Sequence, residues 1–128
     1  MQKPAFLAIL IAATALLPNA ARALDGIAAN GEAVFKKCVS CHAIEAGKNK
    51  VGPSMAGIVG RVPGTVPDFK YSKAMVDFGV GKVWDDANLA AYLVKPKDVV
   101  EGTKMSFAGL KQEQDIADVI AYLKGLPQ

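Results

Sequence analysis

The 128-residue chain has only two cysteines and one histidine. It also lacks any apolar run long enough to span a bilayer, which takes about 20 residues. The longest apolar run, Ala5 to Leu17, has thirteen residues. Alternation of apolar and polar residues is scarce, while Gly and Pro are frequent, so β-strands are not expected. No internal repeat, low-complexity tract or linker divides the chain, and the length suits one domain. A strong excess of positive charge is missing as well. The formal charge of +3 includes Lys3 and Arg22. Without them, thirteen basic face twelve acidic side chains, a net +1. That excludes a nucleic-acid binder that works by bulk charge, and any partner must be recognised by where charges sit.

The opening residues have the grammar of a leader. Lys3 supplies a positive charge, the thirteen-residue run follows, and Ala21-Arg22-Ala23 offers small residues at the −3 and −1 positions. Residues 1–23 are therefore predicted to be a cleaved export signal, with cut after Ala23, and residues 24–128 the working domain. No basic stop-transfer cluster follows to suggest a retained anchor.

Three segments are predicted helical, giving an all-α domain. The first covers roughly Gly26 to Lys37, with Ile27, Val34 and Phe35 on one face. Gly31 lies one turn before Phe35, where a missing side chain would let another helix cross closely. The second covers Asp86 to Val94, with Asp85 or Asp86 as cap and Leu89, Tyr92 and Leu93 on one face. Lys95-Pro96 ends it. The third covers Glu113 to Lys124, with the stripe Ile116, Val119, Ile120 and Leu123. Acidic residues in its first turn and Lys124 in its last suit the helix dipole, and Gly125 and Pro127 close it. Val51 to Val83 shows no sustained period. So long an irregular stretch needs something to order it, and a bound cofactor would.

Both cysteines and the histidine fall in the five positions 38 to 42, which read CVSCH. C-x-x-C-H is the attachment signature of c-type haem. Two thiols add across the two vinyl groups on one porphyrin edge, and the adjacent His42 reaches the iron from the same segment. A thioredoxin-like pair would need a strand before the motif and would leave the histidine unexplained. A zinc site needs three or four ligands, and only this crowded trio exists. A plain disulfide would also leave His42 idle. With no second histidine, the other axial ligand is sought among Met55, Met75 and Met105. Met55 follows His42 too closely. Met105, in Gly102-Thr103-Lys104-Met105-Ser106-Phe107 between the second and third helices, is favoured, with Met75 its competitor. A thioether opposite an imidazole raises the potential and leaves no vacant position for substrate. Such an iron passes electrons.

At this point the chain resembles class I cytochromes c of the soluble bacterial c-two type, which are similar to mitochondrial cytochrome c. The likeness spans nearly all of Gly26 to Lys124. It is carried by Gly31 with Phe35, CVSCH, Val51-Gly52-Pro53, Gly60-Arg61, Phe69-Lys70-Tyr71-Ser72, Trp84, Tyr92-Leu93, Lys95-Pro96-Lys97, GTKMSFAG and DVIAYL, in order. The resemblance implies thioether bonds at Cys38 and Cys41, iron ligation by His42 and Met105, and a carbonyl of Pro53 that accepts the other ring N–H of His42. It implies that Arg61, Tyr71 and Trp84 hold a buried haem propionate. Tyr92 and Thr103 would be polar groups near the Met105 sulfur. Gly31, Phe35, Val119 and Tyr122 match the crossing of first and last helices. Met75 and Asp98 depart from the usual pattern, the first replacing a polar distal residue and the second interrupting a basic stretch.

Lysines flank the haem motif and the Met105 loop. Lys37, Lys50, Lys97, Lys104 and Lys111 are expected to rim the exposed haem edge and steer acidic patches of membrane redox complexes. The expectation is a periplasmic, monomeric, one-electron carrier with one covalent haem and no substrate of its own. From the resemblance, its donors and acceptors would be a cytochrome bc complex, a terminal oxidase or a photosynthetic reaction centre. A haem enzyme or gas binder would need a labile sixth ligand. A thiol–disulfide oxidoreductase would need two titratable cysteines and no haem.

Overall fold

The computed structural model describes residues 24–128, and the predicted leader lies outside the described residues. Among the described residues there are five α-helices and no β-strand. The three expected helices are α1 (Ala28–Phe35), α3 (Asp86–Val94) and α5 (Glu113–Lys124). Two short ones join them, α2 (Lys73–Phe78) and α4 (Pro96–Val99). None of the described helices is long and apolar enough to cross a membrane.

Local chemistry explains the starts of α2, α3 and α4. The Asp85 carboxylate accepts the Asn88 N–H at 2.8 Å and caps α3. Proline ends α3 as expected, but Pro96 also opens α4, where its missing N–H is no loss at the first helical position. The Ser72 hydroxyl accepts the Met75 N–H at 3.1 Å and starts α2. This helix has six residues, too few to show a period within the Gly- and Pro-rich middle.

Helix α1 is shorter than expected, and Ile27 does not share the apolar face of Phe35. Ile27 is the extended N-cap residue, and its side chain is 55% exposed. What it contributes is its N–H, which donates to the Asp118 carboxylate at 2.7 Å. Asp118 belongs to α5 and is buried. The α1 start is thus capped by a residue 91 positions away.

The crossing anticipated at Gly31 is with α5. A β-carbon on Gly31 would lie 1.9 Å from the Asp118 carbonyl oxygen, and one on Gly26 would lie 2.0 Å from that of Ala117. Phe35 and Tyr122 stack across this contact with ring centroids 5.3 Å apart. Ile116, Val119, Ile120 and Leu123 are all buried, as the stripe on α5 implied. Lys124 pairs with Asp86 at 2.6 Å on the surface between α5 and α3.

After α4 the chain makes a loop and returns to α3. The Leu110 N–H donates to the Leu93 carbonyl at 2.8 Å. Gly109, at φ +106°, passes so close that a β-carbon would sit 1.9 Å from the Val94 oxygen. That return fixes the span of the loop that carries Met105.

Candidate functional site

The CVSCH motif lies on turns that continue α1. The Cys38 N–H donates to the Phe35 carbonyl at 2.7 Å, and the Cys41 and His42 N–H groups both reach the Cys38 carbonyl at 3.1 and 2.9 Å. One tight turn therefore gathers both thiols and the imidazole. The thiols of Cys38 and Cys41 are free and half-buried. Burial pushes the Cys38 thiol above its ordinary value, Lys37 pulls it down, and Cys41 adds to the rise.

Residues 52–55 run alongside residues 41–43 in the same direction. The Gly52 N–H donates to the Cys41 carbonyl at 2.8 Å, and the Met55 N–H donates to the Ala43 carbonyl at 2.9 Å. Between them, His42 Nδ1 lies 2.8 Å from the Pro53 carbonyl oxygen. A carbonyl only accepts, so Nδ1 carries the proton and Nε2 keeps its lone pair. Gly52 supports the ring from below: a β-carbon there would be 2.3 Å from Cε1. Burial holds the imidazole below its ordinary pKa. The Pro53 bond opposes this, while Lys50 and Arg61 reinforce it. A neutral ring with a free Nε2 is the form that binds a metal.

His42 and Cys38 face a cleft whose other walls are Phe35, Met55, Leu93, Met105, Phe107, Leu110, Val119 and Leu123. Both α1 and α5 contribute, and the Leu110 loop closes the far side. Met105 is on this wall, and its N–H donates to the Thr103 hydroxyl at 3.2 Å. That hydroxyl also lies 2.8 Å from the Tyr92 hydroxyl. Burial raises the Tyr92 pKa, and the Thr103 bond opposes the rise. Met75 does not line the cleft; it is buried on α2, in the same core cluster as the cleft-wall residues Phe35, Leu110, Val119 and Leu123.

Arg61, Tyr71 and Trp84 form a separate group and do not line this cleft. The Trp84 backbone N–H donates to the Arg61 carbonyl at 2.8 Å. The Arg61 guanidinium donates to the carbonyls of Ala56 at 3.2 Å and Ser54 at 3.1 Å. Burial lowers the Arg61 pKa, and nearby Tyr71 opposes this. The Tyr71 hydroxyl accepts the Val66 N–H at 3.2 Å. Burial raises its pKa, and both that bond and Arg61 act in the other direction.

The donor set fits a c-type haem. Two thiols stand one turn apart, an imidazole nitrogen is unprotonated, the thioethers of Met55 and Met105 are on the same cleft, and the remaining walls are hydrocarbon. Comparison with known proteins agrees. The family described as Cytochrome c matches residues 28–127. The chain belongs to the cytochrome c family. It is 50% identical to cytochrome c2 iso-2 of Magnetospirillum fulvum over 98 residues, 77% of this chain and all of that one. It is 49% identical to cytochrome c2 of Afifella marina over 77% of this chain and 81% of that one. Cytochrome cH from Methylobacterium extorquens superposes with a TM-score of 0.72 at 41% identity, over 77% of this chain and 98% of that one. A cytochrome c binds one covalent c-type haem with its iron. It carries electrons and is not an enzyme.

The lysines of this cytochrome differ in how free they are. Lys37 is 3.9 Å from Asp115. Lys50 donates to the Val39 carbonyl, and Lys104 donates to the Lys70 carbonyl at 3.3 Å. Lys97 lines a shallow hollow with Lys95, Ser106, Phe107 and Ala108. Lys111 is exposed beside Leu110. Asp98, which interrupts this basic stretch, pairs with Lys95 at 3.2 Å.

The sequence reading did not anticipate the layer behind Pro53. The Ser54 N–H donates to Asn49 Oδ1 at 3.0 Å, and Asn49 Nδ2 donates to the Pro67 carbonyl at 3.0 Å. The Ser54 hydroxyl donates to the Glu45 carbonyl at 2.6 Å and accepts the Ala56 N–H at 3.2 Å. The sequence offered only a serine directly after the proline; that Ser54 is buried is seen in the fold alone.

Proposed function

We propose that this cytochrome moves one electron at a time between membrane redox complexes, as a periplasmic monomer with His42 and Met105 as axial ligands. The observation that carries the reading is the placement of an unprotonated His42 Nε2 and the Met105 thioether on one apolar cleft. A haem bound there supplies a one-electron iron couple. In this reading Cys38 and Cys41 form the thioethers and Pro53 orients His42. Tyr92 and Thr103 set the loop of Met105, while Arg61 neutralises a propionate and Tyr71 and Trp84 hydrogen-bond it. Met75 does not line the cleft, and Met55, which does, follows His42 by only thirteen residues, so Met105 is favoured as the sixth ligand. The leader-like grammar of residues 1–23 supports export. The cytochrome bc complex, a terminal oxidase or a photosynthetic reaction centre are the partners proposed.

The test is the absorption spectrum of the reduced, haem-loaded protein with and without carbon monoxide. A spectrum unchanged by the gas supports a closed six-coordinate iron. A shifted spectrum means a weak or missing sixth ligand and points to ligand binding or catalysis instead. Met105→Ala is expected to keep the haem attached, lower the potential and admit carbon monoxide. Met75→Leu is expected to leave ligation unchanged. The reverse pattern would make Met75 the ligand.

A further inference from the structure

The peptide between Pro53 and Ser54 is engaged at both ends. Its carbonyl accepts from His42 Nδ1 at 2.8 Å. Its N–H donates to Asn49 Oδ1 at 3.0 Å. The orientation of the Asn49 amide is fixed by chemistry, because its Nδ2 faces the Pro67 carbonyl, which can only accept. Asn49 is half-buried, and the residue it holds, Ser54, is 3% exposed, so water competes poorly for that N–H. Hydrogen bonds in series polarise one another in such surroundings.

We propose that Asn49 is a positioning residue that tunes the electron donation of His42 through the Pro53–Ser54 peptide. An acceptor on the Ser54 N–H pushes electron density toward the Pro53 oxygen. A more negative oxygen draws the Nδ1 proton more firmly and makes Nε2 a stronger donor. Stronger donation favours the oxidised iron and lowers the potential. The Pro67 contact holds the amide in place and so sets the strength of the effect from a second loop. The inference rests on His42 being the proximal ligand, as proposed above.

The experiment uses the haem-loaded protein and two substitutions of opposite sign. Asn49→Leu removes the acceptor and is expected to raise the midpoint potential and speed exchange of the His42 Nδ1 proton several-fold, read by NMR. Asn49→Asp supplies a stronger acceptor and is expected to lower the potential and slow that exchange. Both lose the donation to Pro67, so a purely structural role would move them the same way. Gln114→Ala, which loosens the remote contact of α5 with Asp25, controls for lost stability. Lys48→Gln changes the charge of the same loop by one unit and controls for charge alone. Neither control is expected to alter Nδ1 exchange. If the two Asn49 variants lose thermal stability while potential and exchange stay fixed or shift together, the relay is wrong. If the Nδ1 proton of the oxidised wild-type protein shows no displacement by the iron's unpaired electron, the ligand assignment itself is wrong.

Discussion

A β-carbon at position 52 would lie 2.3 Å from Cε1 of His42, so alanine there must push the imidazole aside. Gly52→Ala is expected to destabilise the folded protein by about 2 kcal/mol, as overpacked sites do. It should also shift the haem spectrum, because the ring and not a distant core residue absorbs the strain. Thermal unfolding and the reduced spectrum check both parts. The sequence showed Val51-Gly52-Pro53 as part of a resemblance, yet not why glycine is needed. The reason is a pairing of residues 41–43 with 52–55, and spacing alone does not show which backbone atoms meet. As letters, Met105 and Met75 are identical. Position between the second and third predicted helices favoured Met105, and the fold adds that Met105 lines the cleft while Met75 does not.

The helices were more legible, because periodicity and caps act locally. The stripe on α5 read directly from residue order, and the cap of α3 was narrowed to Asp85 or Asp86, of which Asp85 is the one engaged. Helix α2 escaped because six residues carry no period. The cap of α1 escaped because Asp118 comes from another helix. Two expectations belong to the contact between α1 and α5. Gly31→Ala would place a β-carbon 1.9 Å from the Asp118 carbonyl oxygen. A loss of about 3 kcal/mol in denaturant unfolding is expected, since backbone yields less readily than a side chain. The Asp118 carboxyl is held below its ordinary pKa first by the Ile27 N–H, then by Gln114. Its stabilising effect is therefore complete above the usual carboxylate range, near pH 4. It is lost as pH falls through the lower folded value. Asp118→Asn is expected to lower the unfolding midpoint at pH 7 and to flatten the acid limb of the stability curve. An acid limb identical to wild type would remove Asp118 from this role.

On the scale of the described domain, a net charge of +1 over residues 24–128 leaves docking to local arrangement. Lys97 lines the hollow beside Phe107, a residue of the cleft wall. Lys97→Glu is expected to slow reaction with an acidic redox partner roughly 3- to 10-fold at low ionic strength, and the difference should shrink as salt is added. A rate equal to wild type at low salt would take this lysine off the docking face. The pairing of residues 41–43 with 52–55 has a consequence for how the molecule opens. The Gly52 and Met55 amides are held by backbone carbonyls within the segment that carries the histidine. The Met105 amide is held only by a side-chain hydroxyl. Opening should therefore be graded, with the Met105 amide trading its hydrogen for deuterium through small local excursions and the Gly52 and Met55 amides doing so only when the whole domain unfolds. The molecule has one anchored jaw and one hinged jaw, so a fluctuation that bares the cleft leaves the histidine in place to receive the hinged side again.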